Sequence, residues 1–379
     1  MSARSIKGVP MAIQHKLQFP AALKVFFSRP VPGILLLAGM VSCSNLSAVE
    51  IEDRAAVIEN LAEVLEDNFV FPDIGAQYGA YLRSREFPES DAKKAQAEFA
   101  ANLTAELQAV HRDAHLRIFP PSIEENDAAG EEPKPDVPKI TAIEAAQWLT
   151  PEVAYIRFNL FPGDAGTLSA VEKFVSEYAS TKVLIIDVRG HRGGGLAEMD
   201  ILFSDLFTEQ TDLLYMETRK IVDELGGSPI VDGATVRTIP GPESVVRRKH
   251  MAIPRPNSRL GDTKLYILAS GYTASAAEHL VLSVKRTGRG VVVGEQTRGG
   301  AHYGGTIDIG AGYAAFVPVG RTFDPETGKD WEGSGVAPTM AVDATQALRA
   351  ALVDIGLSEI RAEQIDHDLG YAPPPSPIR

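Results

Sequence analysis

The 379-residue chain has one cysteine, no excess of basic residues and no long apolar run. The single cysteine, Cys43, leaves no intrachain disulfide to be formed. Acidic residues outnumber basic residues by 50 to 37, which gives a formal charge of −13. This balance argues against nucleic acid as the main partner, because phosphate binding needs a basic face.

Common metal and nucleotide motifs are also missing. There is no His-Glu-x-x-His segment and no Cys/His cluster, so we expect no metal. The glycine-rich stretch "DVRGHRGGG", residues 187–195, lacks the pattern of a dinucleotide turn or a phosphate loop. In isolation it is more typical of a tight turn, and we expect no cofactor.

The N-terminal residues differ in composition from the rest. Lys24 and Arg29 precede "GILLLAGMVSCSN", whose apolar run of about ten residues is too short to span a bilayer. We interpret residues 1–48 as a bacterial export signal. "GMVSC" resembles a lipoprotein site at which Cys43 becomes lipid-modified, although Met40 stands where leucine is usual. Cleavage after "LSA" would instead leave a soluble protein, so we expect a periplasmic location, with or without a lipid anchor.

Helical periodicity marks the next region. Ile58, Leu61 and Leu65 recur at helical spacing, "IGAQYGAYLRS" predicts a second helix, and a third is expected to begin near Asp91, a suitable N-cap. These helices predict a small N-terminal helical domain over residues 49–119. Residues 120–139 are rich in proline and acidic residues and are expected to form a linker.

Strands and helices alternate over residues 140–357. "VAYIRF", "KVLIIDV", "LLYMETR", "KLYILA", "GVVVG", "GGTIDIG" and "YAAFVPV" predict strands, with helices over 165–178, in "AEMDILFSDLF" and after Ser275. Residues 222–262 give only weak strand signals. The order predicts a layered α/β domain with a mixed or mostly parallel sheet. Residues 358–379 are expected to form a tail with a disordered end.

Ser275 is predicted to lie at a helix start just beyond a buried strand, in "LYILASGYTASAAEHLVLSV". Unpaired backbone N–H groups and the helix dipole at this position could stabilise an oxyanion. Serine is also an ordinary N-cap, and "GYTAS" lacks the Gly-x-Ser-x-Gly pattern of common hydrolases. The local sequence therefore leaves a cap and a nucleophile both open.

Candidate acids and bases lie in other predicted loops. His115 follows "RDA", and Glu332 lies in the glycine-rich "DWEGSGVAP". His191, His279 and His302 are the other histidines near these loops. Taken singly, each is more typical of a solvated or hydrogen-bonded side chain than of a catalyst.

The order of the motifs is more specific than any one of them. "DVRGHRGGG", "TASAAEH", "VVVGEQTRGGAHYGG" and "DWEGSGVAP" together resemble the C-terminal-processing, or tail-specific, serine peptidases. "LEDNFVFPD" and "FAANLTAELQAVHRDAHLRI" look like the helical N-terminal domain of the branch that includes tricorn-core-like peptidases and the interphotoreceptor retinoid-binding protein. The resemblance covers about residues 51–352 and implies a crotonase-like α/β fold after a small helical domain.

Two branches of this family use different bases. In one branch a lysine activates the serine, but Gly300 occupies the matching position here. Lys285 lies about three helical turns beyond Ser275, too far to substitute. The tricorn-like branch uses serine, histidine and glutamate. The resemblance therefore implies that Ser275 is the nucleophile, His115 the general base, and Glu332 the group that orients them through a hydrogen-bond chain.

The same resemblance implies an oxyanion hole made by the N–H of Ala276 and one N–H from residues 193–195, of which Gly194 is favoured. Ala114 replaces the usual glycine before the histidine, and His191-Arg192 replaces a common Asn-Gly. A PDZ-like segment, which such peptidases often use to capture substrate C-termini, is not apparent in the sequence.

These observations lead to a functional hypothesis. We expect an exported serine endopeptidase that acts on peptides or partly unfolded proteins without a metal or cofactor. A binding protein for an apolar, retinoid- or lipid-like ligand is the main alternative, which the joint presence of serine, histidine and glutamate disfavours. An esterase-like hydrolase would use the same groups. The sequence indicates neither the natural substrate nor the oligomeric state.

Overall fold

The computed structural model describes residues 44–85, 94–121 and 141–373, with side chains from Asp53 onward. Most of the export signal with Cys43, the expected N-cap Asp91, nearly all of the expected linker and the last six residues lie outside these ranges. Among the described helices, none is long and apolar enough to cross a membrane.

The helices of the described residues are, in chain order, α1 (Ser44–Asn68), α2 (Pro72–Ser84), α3 (Gln96–Val110), α4 (Ala165–Glu177), α5 (Ala197–Leu206), α6 (Lys220–Glu224), α7 (Ala276–Arg286), α8 (Ala347–Asp354) and α9 (Glu359–Leu369). The strands are β1 (Arg117–Phe119), β2 (Ile143–Thr150), β3 (Val153–Phe158), β4 (Val183–Asp187), β5 (Thr211–Arg219), β6 (Val236–Ile239), β7 (Val245–Ala252), β8 (Lys264–Ala269), β9 (Val291–Gly294), β10 (His302–Gly310), β11 (Tyr313–Phe323) and β12 (Met340–Ala341).

One six-stranded sheet has the order β12-β9-β8-β4-β3-β2. Its pairs are parallel except for β2 with β3, which agrees with the expectation of a mixed, mostly parallel sheet. Alternate residues point to opposite faces: Leu184 and Ile186 pack in one core with α4, α5 and α7, whereas Ile185 packs in another with α8 and α9. Both faces are covered, which explains the continuous apolar runs of these strands.

A second sheet, which the sequence did not indicate as separate, has the order β1-β11-β5-β7-β6, with β10 also paired to β11. All of its pairs are antiparallel. The strands β6 and β7 come from residues 222–262, where strand signals were weak. Together, the two sheets and their helices confirm the layered α/β class.

The N-terminal helices pack against this antiparallel sheet. Leu61, Phe99 and Leu103 share a buried cluster with Tyr313 and Val317 of β11. The third helix begins at Gln96, five residues after Asp91, with Ala95 as its N-cap residue. At the other end, α9 lies within the segment expected to be a tail, and its Ala362 and Ile365 are buried in the core.

Candidate active site

Ser275 occupies a sharp turn between β8 and α7. Its backbone has φ 54° and ψ −118°, a region that non-glycine residues rarely adopt. The preceding loop is held by its own hydroxyls, because Ser270 donates to the carbonyl of Arg189 and Thr273 to that of Val188. Ser275 is half-buried. A strained serine at a strand-to-helix turn is the geometry of a nucleophile elbow, reached here without the Gly-x-Ser-x-Gly pattern.

Glu278 fixes this turn from within the helix. Its buried carboxylate accepts hydrogen bonds from the N–H of Ser275 at 2.8 Å, the hydroxyl of Thr297 at 2.6 Å, and the N–H groups of Gly299 and Gly300 at 2.7 and 2.8 Å. Burial raises its pKa while these donors oppose the rise. Glu278 therefore ties Ser275 to the loop after β9, a role that the sequence analysis missed. The spacing Ser-x-x-Glu of a capping box was the available signal.

The glycine-rich turn leaves one N–H free beside Ser275. The N–H of Gly193 donates to His191 Nδ1 at 3.0 Å, and that of Gly195 donates to the carbonyl of Phe161 at 2.8 Å. Within the described residues, the N–H groups of Gly194 and Ala276 have no acceptor. An ideal Cβ at Gly193 would lie 2.9 Å from the Ser275 Cβ, so the turn and the serine are in direct contact.

His191 acts as an acceptor in this turn. Burial lowers the pKa of its ring to about 3, so the imidazole stays neutral and its Nδ1 can accept the hydrogen bond from the Gly193 N–H. The ring packs edge-on against Phe161 with centroids 4.2 Å apart. His191 is thus a structural support for the turn.

His115 lies close to the loop that Glu278 holds. An ideal Cβ at Gly300 would be 2.7 Å from His115 Cε1 and 3.5 Å from both His115 Nε2 and Glu278 Oε2. Burial lowers the pKa of the half-buried imidazole, although the negative charge of Asp113 acts to raise it. No hydrogen bond joins His115 to Ser275 Oγ in the described part of the chain. The imidazole fills the space that a side chain at position 300 would need.

The Glu332 carboxylate accepts hydrogen bonds from backbone N–H groups rather than from the His115 ring. Its carboxylate accepts from the N–H of Ala114 at 2.6 Å and from those of Ala301 and His302 at 2.7 and 3.2 Å. Burial raises its pKa. Glu332 therefore fastens the turn that carries His115 to the start of β10.

Asp113 and His302 form a buried ion pair next to it. Asp113 Oδ2 lies 2.6 Å from His302 Nδ1, while Asp113 Oδ1 accepts from the N–H groups of His115 and Leu116. The pair raises the pKa of His302 to about 10 and lowers that of Asp113, against the effect of burial on each. His302 is therefore protonated at neutral pH and has no free lone pair to act as a base.

Asp113, His302 and Glu332 are also the one set of side chains in the described ranges whose atoms approach metal-ligand spacing, within 4.8 Å of one another. Their ligand atoms are already used by each other and by backbone N–H groups. This set is built for hydrogen bonding rather than for a cation.

A cavity of about 60 Å³ opens beside Ser275. Its walls include the residues Gly194, Leu196, Met216, Ile230, Ala276, Ala301 and Trp331. The walls are mostly apolar, and they include both residues whose N–H groups have no acceptor among the described residues, Gly194 and Ala276.

Residues 152–342 match the model of peptidase family S41, and residues 51–155 match the N-terminal domain of that family in eukaryotic IRBP. The chain belongs to peptidase family S41. The expected resemblance to the tail-specific serine peptidases and to their retinoid-binding branch is thereby confirmed.

Among proteins similar to this S41 member is the chloroplastic C-terminal processing peptidase of Tetradesmus obliquus, 26% identical over 194 residues. The match covers 51% of this chain but 35% of that protein. A structure of a photosystem II D1 C-terminal processing protease gives a TM-score of 0.51 at 15% identity, covering 76% of this chain and 93% of that one. The structure of a Parabacteroides merdae protein described as a candidate peptidase gives a TM-score of 0.55 at 16% identity. This match covers 82% of this chain and 97% of that one. These structural likenesses confirm the fold.

Proposed function

We propose that this S41 member is an exported serine endopeptidase in which Ser275 is the nucleophile. The main support for this role is the strained backbone of Ser275, which lines one cavity together with Gly194 and Ala276, whose N–H groups have no acceptor among the described residues. Holding a serine in a disfavoured conformation costs about 1–3 kcal/mol, and such strain concentrates at functional sites. An ordinary N-cap has no need of it.

The two free N–H groups support an oxyanion hole at this position. A substrate carbonyl carbon attacked by Ser275 Oγ would place its oxygen towards Gly194 and Ala276. Each donor of this kind contributes roughly 3–4 kcal/mol to transition-state stabilisation in known hydrolases. Because the N–H groups of Gly193 and Gly195 are already engaged, Gly194 is favoured over both.

His115 is the proposed general base. Its lowered pKa keeps the imidazole neutral at neutral pH, so one ring nitrogen has a lone pair that can take the Ser275 proton and pass it to the leaving amine. Water then hydrolyses the acyl-enzyme by the same route. His191 and His302 are less suited, because the first supports the glycine turn and the second is protonated. Glu332 is a positioning residue that acts through the Ala114 backbone.

The proposed setting is the bacterial cell envelope. Lys24, Arg29 and the short apolar run up to Cys43 support export, with lipid attachment at Cys43 as the proposed anchor. The Tetradesmus relative is a C-terminal processing peptidase, which supports peptides or partly unfolded proteins as substrates, cleaved near their C-termini. A retinoid-like ligand is not supported, because the cavity of about 60 Å³ is far below the 300–1,000 Å³ of usual ligand sites.

A fluorophosphonate probe tests this function. We expect wild type to be labelled on Ser275, Ser275→Ala to remain folded but unlabelled, and peptide turnover to disappear with the label. His115→Ala should reduce turnover by roughly 10²–10⁴-fold, because it removes the base. His367→Ala, which removes an imidazole whose side chain is 84% exposed, is the matched control and should behave as wild type.

Two results would contradict the proposal. Labelling at a residue other than Ser275 would overturn the nucleophile, and near-normal turnover by His115→Ala would overturn the base. Turnover of a matched ester without turnover of the amide would indicate an esterase-like hydrolase instead.

A further inference from the structure

A buried imidazole lines the cavity beside Ser275, and its role is not explained by the proposed catalytic residues. His279 lies one turn after Ser275 on α7, is 3% exposed, and lines this otherwise mostly apolar cavity. Among its neighbours, His302 Nδ1 is paired with Asp113 and the Tyr303 hydroxyl with Thr218. His302 Nε2 and Trp331 Nε1 have no hydrogen-bond partner among the described residues, but both are N–H donors. Unlike these two donors, the His279 imidazole can accept a hydrogen bond.

A hydrogen-bonded chain sets the tautomer of this ring. His279 Nε2 lies 2.8 Å from His250 Nδ1, and His250 Nε2 lies 2.8 Å from Asp200 Oδ1. Because a carboxylate only accepts, His250 carries its proton on Nε2 and offers the lone pair of Nδ1 to His279. His279 then donates through Nε2, which leaves a lone pair on its own Nδ1. Thr235 holds the other Asp200 oxygen at 2.9 Å.

The Nδ1 lone pair of His279 has no hydrogen-bond donor in the described part of the chain. Burial lowers the pKa of the ring well below its usual value, so the lone pair is not protonated by bulk water at neutral pH. A ligand that brings a donor into the cavity would give this lone pair a hydrogen-bond partner.

We propose that this cavity takes the side chain of the substrate residue whose carbonyl Ser275 attacks, and that His279 Nδ1 selects a hydroxyl-bearing side chain, threonine or serine, over valine or alanine. The proposal rests on the function assigned to Ser275. The cavity adjoins Ser275, Gly194 and Ala276, so the side chain next to the attacked carbonyl is the one that reaches it. About 60 Å³ accommodates only a few heavy atoms, since one water needs roughly 10–15 Å³.

Threonine and valine have the same shape and differ by one hydroxyl, so they isolate the hydrogen bond. The experiment first maps the cleavage sites of wild type in an unfolded protein by mass spectrometry. One cleaved peptide is then synthesised with threonine or valine immediately before the cleaved bond. We expect kcat/KM to be roughly tenfold higher for threonine, the effect of one buried hydrogen bond.

Three variants separate hydrogen bonding from packing. His279→Leu and His279→Gln should bring the threonine-to-valine ratio to one or below, because neither places a polar atom at the Nδ1 position. His279→Asn does place one there and should keep a preference for threonine. Fluorophosphonate labelling of Ser275 in each variant shows that the fold and nucleophile are intact.

The outcomes are distinct. Equal kcat/KM for the two peptides in wild type overturns the role of His279 and leaves the peptidase intact. If His279→Leu keeps the threonine-to-valine ratio of kcat/KM seen in wild type, the role of His279 is likewise overturned. Absence of both cleavage and labelling in wild type overturns the proposed function, and the proposed selectivity with it.

Discussion

Gly194 has φ 128°, and an ideal Cβ at this residue would lie 2.0 Å from the carbonyl oxygen of Phe161. Any side chain must therefore push the turn away from Phe161 or adopt a strained backbone. Both changes would displace the N–H of Gly194. The requirement for glycine is thus steric as well as conformational.

We expect Gly194→Ala to lower the free energy of unfolding by about 2–4 kcal/mol and to abolish labelling of Ser275. Gly305→Ala is the matched control, because its Cβ would meet no atom within 4 Å, and it should change neither quantity. Urea denaturation and fluorophosphonate labelling measure the two effects. Wild-type stability in Gly194→Ala would show that the turn is less constrained than its geometry indicates.

Single residues show where sequence reasoning ended. The sequence singled out Ser275 because a hydroxyl follows an apolar strand. Its backbone turn, however, is held by the contact of Ser275 with Gly193 and by the hydrogen bond from the Ala274 N–H to the carbonyl of His191, both distant in sequence. Glu278 belonged to a visible Ser-x-x-Glu pattern, yet three of its four donors come from residues 297–300. The pairing of His279 with His250 likewise follows from tertiary packing rather than from local spacing.

The central strands of the mostly parallel sheet were predictable, whereas its edge strands β2 and β12, and β6 and β7 of the antiparallel sheet, were not. The strands β4 and β8 are buried on both faces, so each reads as an apolar run. By contrast, β7 carries Arg247 and Arg248, whose charges are balanced by Glu217 and Asp223 from other elements. Such a strand cannot be recognised by hydrophobicity alone, because its charges are paired only after folding.

The turn before β1 and the start of β10 are joined by the Asp113–His302 pair. The folded-state pKa of His302, about 10, lies above its usual value near 6.5. Its contribution to stability is therefore complete below about pH 6.5 and is lost as the pH rises towards 10. Asp113, whose pKa is lowered, loses its contribution only at acidic pH.

We expect the free energy of unfolding of wild type to fall by on the order of a few kcal/mol between pH 6.5 and 10 because of this pair. In His302→Gln, which keeps the backbone bond to Glu332 but cannot be charged, most of that fall should vanish. Urea denaturation at three pH values compares the two proteins. If the free energy of unfolding changes equally with pH in wild type and His302→Gln, the pair does not stabilise the contact between these elements.

At the scale of the whole molecule, the N-terminal helices and β11 share one buried cluster. Leu103 of α3 is fully buried in this cluster, whereas both tryptophans, Trp148 and Trp331, lie in the part of the chain after residue 140. Tryptophan fluorescence therefore reports on the region after residue 140, whereas far-ultraviolet circular dichroism also reports on the N-terminal helices. Coincident unfolding transitions in the two signals would mean that these regions unfold together.

We expect Leu103→Ala to cost about 2–5 kcal/mol and to shift the far-ultraviolet circular dichroism and tryptophan fluorescence transitions equally. Leu225→Ala, at a side chain that is 68% exposed, is the control and should shift neither. A fluorescence midpoint unchanged by Leu103→Ala would instead indicate a separate helical domain.

The contact between Gly300 and His115 has a consequence for how such sites can change over time. Gly300, which the order of motifs matches to the lysine of one branch of the family, has no room for a side chain while the imidazole keeps this pose, with 2.7 Å between His115 Cε1 and an ideal Cβ at 300. A lysine at position 300 would therefore require the His115 side chain to move. An exchange of histidine for lysine at this site would thus need coordinated changes at two positions far apart in the chain.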